Sequence, residues 1–463
     1  MLAREIARFV IGTQFTALPP DVIAKAKGHI LDTLGVLIAA TAEPLMDILG
    51  GFLNDLDSGG NASILGSGRK TSATHAALIN GTLAHGLDYD DSSWRMIGHP
   101  SAGVLPAVLA IGETRNSSGR DLLAAYVLGT EVSCKVGLAA EPEMYEAGWH
   151  ATGVVGVLGA TAASACLLHL SEDQLCTALG IAASLACGIR ENFGSFTKPF
   201  HAGAAAQHGV TAALLAKHGF TASATSLEGK AGFFNNFTLG RKKTGTLSLG
   251  SPYDIVAPGF FVKPFPSCAA THTGIEAAMN LVRRHQLQAG KVKTIQVGCG
   301  PVGPIMLIHR QPKTGFEGKF SMPFVVAMAI KEGKVGLDSF RDANAADPVV
   351  RELIEKTEFG IDPQFSDRPI DEAPARLTIT TNDGQVLQEC IEDPIGSPTR
   401  PMNDEALLVK FTDCVQRRLA RENISTAIHI LDRLEDVKDV RQLIAALTPA
   451  SGKPRRSRQS VGR

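Results

Sequence analysis

Apolar residues recur at helical spacing through the first half of the chain and alternate in strand fashion only after about residue 260. Ile23, Ala26, Ile30, Leu34 and Leu37 fall on one helix face behind Pro19-Pro20, a pair that suits a helix start. The same period predicts helices over about 121–136 and 153–169. Ser171 opens another, because its hydroxyl can cap the first turn while Gln174 reaches back. A further helix is expected from about Pro199 to His218, stopping at Gly219, since glycine accepts the left-handed backbone that ends helices. Few segments before residue 250 alternate as strands do.

Beyond residue 260 the pattern mixes. Ile295, Val297 and Cys299 alternate with polar or small residues, as do Leu377, Ile379 and Thr381 ahead of the turn Asn382-Asp383-Gly384 and the run Gln385 to Ile391. Helix-like runs at 273–286 and 322–332 lie between them. After Pro394 the chain reads as helical again: Asn403 caps a run from Asp404 to about Ala420, and one last helix covers roughly 425–447. Residues 1–262 and 396–450 are therefore expected to form one discontinuous helical domain, with 263–395 inserted as a smaller α/β unit. A short basic segment from Lys453 leaves 451–463 as a tail.

Composition narrows the function classes. The 463 residues hold 45 Lys+Arg against 46 Asp+Glu, a net charge of −1, so no general field draws the chain to nucleic acid or an anionic membrane. Any grip on an anion has to be local. No two of the eight cysteines form a CxxC pair, which argues against structural zinc or a redox motif and suits a reducing compartment. The opening Met1-Leu2-Ala3-Arg4-Glu5 lacks a charged-then-apolar leader, so a cytoplasmic protein whose first helix belongs to the fold is expected. Gly153 to Leu168 carries no charge, but it is shorter than the ~20 strongly apolar residues a membrane span needs. Its glycines at 153, 156 and 159 suit a helix in a tight bundle instead.

The densest chemistry is His85-Gly86-Leu87-Asp88-Tyr89-Asp90-Asp91-Ser92, followed by Gly98-His99-Pro100. Three carboxylates so close repel one another unless cations, helix-end N–H groups or a proton compensate. An imidazole such as His99, in a loop where no helix can continue, is a natural proton carrier near neutral pH. The plainer alternative is one helix cap and a solvated turn. Asp90-Asp91 also starts like the DDxxD cluster that holds Mg²⁺ on a diphosphate, but Trp94 stands where the third carboxylate belongs, and no metal is expected.

Three further runs carry candidates. Gly148-Trp149-His150 places an imidazole just ahead of a helix, though capping or packing histidines are equally common there. Lys198-Pro199-Phe200-His201 sets an ammonium beside the positive end of a helix, a position suited to a carboxylate. His201 and His208 share a face of that helix, while Gly203 and the neighbouring alanines read as close packing. Lys263-Pro264-Phe265-Pro266-Ser267-Cys268, with His272, lies where the two units join, and clefts between units are where ligands usually sit. Two runs are decoys. Gly298-Cys299-Gly300-Pro301-Val302-Gly303 spells GxGxxG, but Pro301 and Pro304 are expected to spoil the following helix and no βαβ unit is expected around it. Gly66 to Thr71 lacks the glycine before lysine of a phosphate-binding loop.

Together these segments, with Thr197 before Lys198, Ser101 after Pro100, Lys319-Phe320-Ser321-Met322-Pro323-Phe324, Pro401-Met402 and Lys410-Phe411, resemble the MmgE/PrpD family along nearly the whole chain. That family includes 2-methylcitrate dehydratase, cis-aconitate decarboxylase and iminodisuccinate epimerase. The resemblance implies a mainly α protein: a large discontinuous all-helical domain with an inserted smaller α/β lid domain, working as a homodimer without cofactor. It implies that Asp88, Ser92, His99, His150, Lys198 and Lys263 converge on the cleft. His99 would exchange a proton next to a substrate carboxylate, and Lys198 and Lys263 would hold carboxylates and stabilise the developing charge. Asp88 would tune a neighbouring cation and His150 assist, with Ser92, Asp91, His201 and His272 on the substrate side. Ser92 stands where the decarboxylase branch has Thr, and one more residue separates Asp91 from His99 than in that branch. These departures weaken a decarboxylase assignment and leave the dehydratase and epimerase branches open, and a dehydratase acting on a small di- or tricarboxylate is the first expectation. An epimerase that removes and returns one proton, a decarboxylase, or an inactive carboxylate-binding relative are the alternatives.

Overall fold

The structure, a computed structural model, describes residues 1–56, 59–242 and 245–449, so the expected tail at 451–463 lies outside the described residues. The protein is mainly α-helical. Its first half runs through Leu2–Gly12, Pro20–Ala40, Ala73–His85, Pro100–Arg115, Gly119–Ala140, Gly156–Leu167, Glu172–Leu185 and Thr197–Lys217. The local signals act as expected. Ser171 and Gln174 form the reciprocal cap, Pro20 begins its helix, and Gly219 adopts φ +89° just after Thr197–Lys217. The uncharged segment divides into Ala151–Val154 and Gly156–Leu167. It packs tightly because a Cβ on Gly159 would stand 1.9 Å from Ser133 Oγ and 2.4 Å from the Gly129 carbonyl.

Buried apolar side chains form two clusters. One collects residues from Leu2 to Phe260 and takes in Phe411 to Leu447. The other is built from Cys268 to Leu387 and also claims Ile97, Tyr145 and Phe193. The end of the chain returns to its start, since Phe411 of the helix Asp404–Val415 abuts Gly35, where a Cβ would meet Phe411 Cδ2 at 3.0 Å. Apart from the short first-half strands β1 (Ala62–Ile64) and β2 (Arg69–Thr71), the second cluster surrounds a four-stranded sheet of β3 (Val292–Cys299), β4 (Thr357–Ile361), β5 (Ala375–Thr381) and β6 (Val386–Ile391), in the order β4-β3-β5-β6. β3 pairs with β4 in parallel and with β5 antiparallel, and Asn382-Asp383-Gly384 turns β5 into β6. The helices His272–His285 and Met322–Glu332 pack against it.

A small hairpin precedes residue 250, β1 (Ala62–Ile64) with β2 (Arg69–Thr71), whose three-residue strands are too short to show alternation. Three expectations need correction. The run after Asn403 stops at Val415, and the last helix is two, Arg421–Asp432 and Arg441–Ala446. The break is drawn onto another element: Gly119 N–H donates to the Val437 carbonyl at 2.8 Å, and Val440 N–H to that of Ser117 at 3.0 Å. Finally, a parallel crossover does follow Gly298 to Gly303, and a helix opens at Val302–Met306. That helix has only five residues, and the glycines are needed for packing, since a Cβ on Gly303 would lie 2.4 Å from Cys299 Sγ. Among the described residues one helix, Gly119–Ala140, is long and apolar enough to cross a membrane, and 89% of its most apolar stretch is buried inside the protein. The bent pair Pro20–Ala40 and Pro44–Asp55 passes the same test only if taken together.

Candidate active site

The helix Ala73–His85 ends at its histidine, and the next fourteen residues form an irregular loop that delivers the site. Asp88 adopts φ +51°, a left-handed conformation uncommon for any residue but glycine, which turns its carboxylate inward. Beyond it, Ser92 and Phe261 exchange two backbone hydrogen bonds of 3.0 and 2.7 Å. That pairing sets Lys263, two residues further, against Asp88. His99 then caps the helix Pro100–Arg115 through its backbone position.

Charges meet on Asp88. The Lys263 ammonium donates to Asp88 Oδ1 at 2.6 Å and to its carbonyl at 3.0 Å, and Lys198 Nζ stands 3.3 Å from the same Oδ1. Burial alone would raise the Asp88 pKa, but Lys198 and Lys263 hold the carboxyl well below the usual range. Lys198 sits on the first turn of Thr197–Lys217, as expected, and its pKa is lowered by burial against the pull of Asp88. Its ammonium also lies 5.3 Å from the Phe193 ring centre and 5.1 Å from that of Phe320.

The histidines divide by role. His85 Nδ1 lies 3.0 Å from both Asp90 oxygens, while its Nε2 faces the Lys198 ammonium at 2.9 Å. Nδ1 must therefore carry the proton and Nε2 must accept. Burial lowers the His85 pKa to about 3, so this ring is neutral. His99 Nδ1 also faces only acceptors, the Asp91 carbonyl at 2.9 Å and Asp90 Oδ2 at 3.0 Å. A proton therefore sits on Nδ1, and Nε2 lies 3.7 Å from Asp88 Oδ1 on the cavity side. His150 and His201 share one proton between Nδ1 atoms 3.0 Å apart. Burial, reinforced by Lys198, keeps both neutral, with His201 lowered to about 4.

A cavity of ≈ 440 Å³, counting the part that opens to solvent, is walled by Asp88, Ser92, His99, His150 and Lys198 on the polar side. Tyr145, Phe193 and Phe320 are among its apolar walls. Ile97, Tyr145 and Phe193 are the same first-half residues that pack into the second apolar cluster, so the cavity lies where the clusters join. Asp88 Oδ2 and Ser92 Oγ are buried there without a hydrogen-bond partner among the described residues.

The remaining candidates stand off the wall. Lys263 is fully buried and acts on Asp88 from behind. Asp91 is used internally, accepting from Ser101 Oγ at 2.6 Å and lying 2.9 Å from His29 Nδ1. His201 backs His150. His272, lowered to about 3 by burial and Lys263, is wedged between Phe261 and Phe265. Sequence reasoning quoted His85, Asp90, Lys319 and Phe320 within motifs without giving them roles, and it passed over Phe193, which no motif marks. Four of the groups, His85, Asp88, Asp90 and His99, offer ligand atoms within 4.8 Å of one another. Two ammonium groups already contact Asp88, and both imidazole Nδ1 atoms face Asp90.

Sequence models of the MmgE/PrpD N-terminal domain and the MmgE/PrpD C-terminal domain match residues 4–245 and 265–436. Cis-aconitate decarboxylase from Homo sapiens is 28% identical over 465 residues, covering 96% of this chain and 94% of that protein. Cis-aconitate decarboxylase from Aspergillus terreus is 26% identical over 473 residues, covering 95% of each. A mitochondrial 2-methylcitrate dehydratase from Yarrowia lipolytica is 25% identical over 416 residues, covering 82% of this chain and 78% of the relative.

Proposed function

The chain belongs to the MmgE/PrpD family, and from that membership we propose that it is a lyase acting on a small di- or tricarboxylate. The observation that carries the reading is the meeting of Lys198, Lys263 and His99 around Asp88, with Asp88, Lys198 and His99 on the wall of one cavity. In a dehydration, His99 Nε2 takes the proton from the carbon beside a substrate carboxylate. Lys198 holds that carboxylate and stabilises the enolate-like charge, with Lys263 setting Asp88 behind it. The electron pair then forms the alkene as the β-hydroxyl leaves as water, with His150 placed to assist its protonation. Ser92 Oγ, unpartnered on the wall, offers a hydrogen bond to the substrate. The segment 263–395 would serve as a lid over this cavity, and the active form would be a homodimer, which light scattering checks.

Decarboxylation is the second reading, favoured by relatives of that name matching over almost their whole length. The same ammonium groups would stabilise the carbanion left when CO₂ departs. One experiment separates the outcomes: incubation with citrate, 2-methylcitrate, cis-aconitate and iminodisuccinate in D₂O. An alkene formed with loss of water supports the dehydratase, released CO₂ the decarboxylase, and deuterium in otherwise unchanged substrate an epimerase. Thermal stabilisation by one acid without turnover would indicate a carboxylate-binding relative. Neither turnover nor stabilisation by any of them would overturn the proposal.

A further inference from the structure

Lys319 is almost fully buried, and its ammonium is spent on two backbone carbonyls: Leu87 at 2.7 Å and Pro266 at 2.7 Å. The first belongs to the peptide that enters Asp88, and the second to the strap that carries Lys263. The residue's own carbonyl accepts from Cys268 N–H at 3.0 Å, and the next residue, Phe320, faces the Lys198 ammonium. Three pieces of chain far apart in sequence are thus tied at one side chain. We propose that Lys319 is a positioning residue that registers the Asp88 turn against the Lys263 strap, and so sets the geometry of the charged site without touching substrate.

The physical need is plain on both sides of the tie. Asp88 is held at positive φ, a conformation that relaxes unless its flanking peptide is fixed, and the Leu87 carbonyl is the fixed end. The strap Pro264-Phe265-Pro266 donates few N–H groups, because its prolines have none, so it is anchored through carbonyl acceptors: Pro266 to Lys319, and Pro264 to the Tyr89 hydroxyl at 3.2 Å. An ammonium is a costly group to bury for this purpose: burial lowers the Lys319 pKa to about 7, with Asp88 and Glu43 opposing the shift. Phe340, whose ring centre is 4.4 Å from Nζ, covers the remaining side.

This inference rests on the lyase reading for its kinetic arm but not for its structural arm. Lys319→Met keeps the chain length and removes the donors. Lys135→Met removes a comparable buried ammonium that does not line the cavity, bonded at 2.9 Å to Asp254 and 3.0 Å to the Pro252 carbonyl, and serves as control. In K319M, kcat on whichever acid the wild type converts is expected to fall at least tenfold. Alkylation of Cys268 by iodoacetamide, read by peptide mass spectrometry, is expected to accelerate at least tenfold. K135M is expected to leave both within threefold of wild type. If either reading in K319M stays within threefold, or if K135M reproduces both changes, Lys319 is no positioning residue. If K319M does not fold, the same readings are taken on Lys319→Gln. If the wild type converts none of the acids, the lyase reading fails by itself, and the labelling rate still decides whether Lys319 ties the two backbones.

Discussion

Lys198 Nζ lies 2.9 Å from His85 Nε2, and that contact fixes the hydrogen-bond direction through the whole site. An ammonium can only donate, so His85 must accept at Nε2 and donate from Nδ1 to Asp90. Asp90 also receives His99 Nδ1–H, which leaves His99 Nε2, 3.7 Å from Asp88 Oδ1, as the nitrogen on the cavity side.

His99→Ala should therefore remove the base while leaving the scaffold intact. Turnover is expected to fall by about 10²–10⁴-fold with the melting temperature nearly unchanged. Steady-state kinetics beside a thermal melt check this, and more than about a tenth of the wild-type rate would be incompatible with general-base catalysis.

Lys198→Ala removes charge from the substrate side. KM for the acid is expected to rise as kcat falls by about a hundredfold, because the lost ammonium serves both the bound anion and the developing charge. An unchanged KM would place the carboxylate pocket elsewhere.

The crossing of Ala73–His85 with Thr197–Lys217 is what brings these two residues together. A Cβ on Gly203 would stand 2.2 Å from Thr82 Oγ1 and 2.3 Å from the Leu78 carbonyl, so no larger residue fits there. Gly203→Val is expected to force the helices apart, destabilising the protein by about 1–3 kcal/mol and lowering kcat more than its stability loss explains. Denaturant melts together with activity at low temperature separate the two effects.

Behind the site, Lys410 pairs with Asp32 at 2.6 Å and donates to the Tyr89 carbonyl at 2.8 Å, both side chains being buried. Burial already raises the Asp32 pKa to about 6 against the opposing pull of Lys410. Lys410→Met strands that carboxyl and is expected to cost about 3–5 kcal/mol, with Asp32→Asn in the same chain recovering part of it. Chemical denaturation of the single and double variants tests the coupling.

Acid should destabilise this protein through its buried imidazoles. His85 and His272 are lowered to about 3 and His201 to about 4, all from 6.5. The unfolded chain then binds more protons than the folded one between these limits, so stability is full above pH 6.5 and is lost as pH falls towards 3. Melting temperatures from pH 7 down to pH 4 should decline steadily, and less steeply in His272→Gln.

The sequence by itself determined the helical character, the caps at Ser171 and Asn403, the stop at Gly219 and the strand pattern near 295 and 377. These depend on neighbours a few residues away, which the order of residues states directly. It also put names to the main charged groups, because Lys198 at a helix start and His99 in a Gly-His-Pro loop are unusual in their own local setting. It did not separate His99, which lines the cavity, from His201, His272 and Asp91, which stand behind the wall. Nor could it find the breaks at 433–440, which answer to hydrogen bonds from residues 117 and 119. Which nitrogen holds a proton, which lysine faces the cavity, and what Lys319 ties together were decided only when chain segments more than a hundred residues apart packed within 3 Å. Burial then made each pairing obligatory, since an unpaired charge there has no water to turn to.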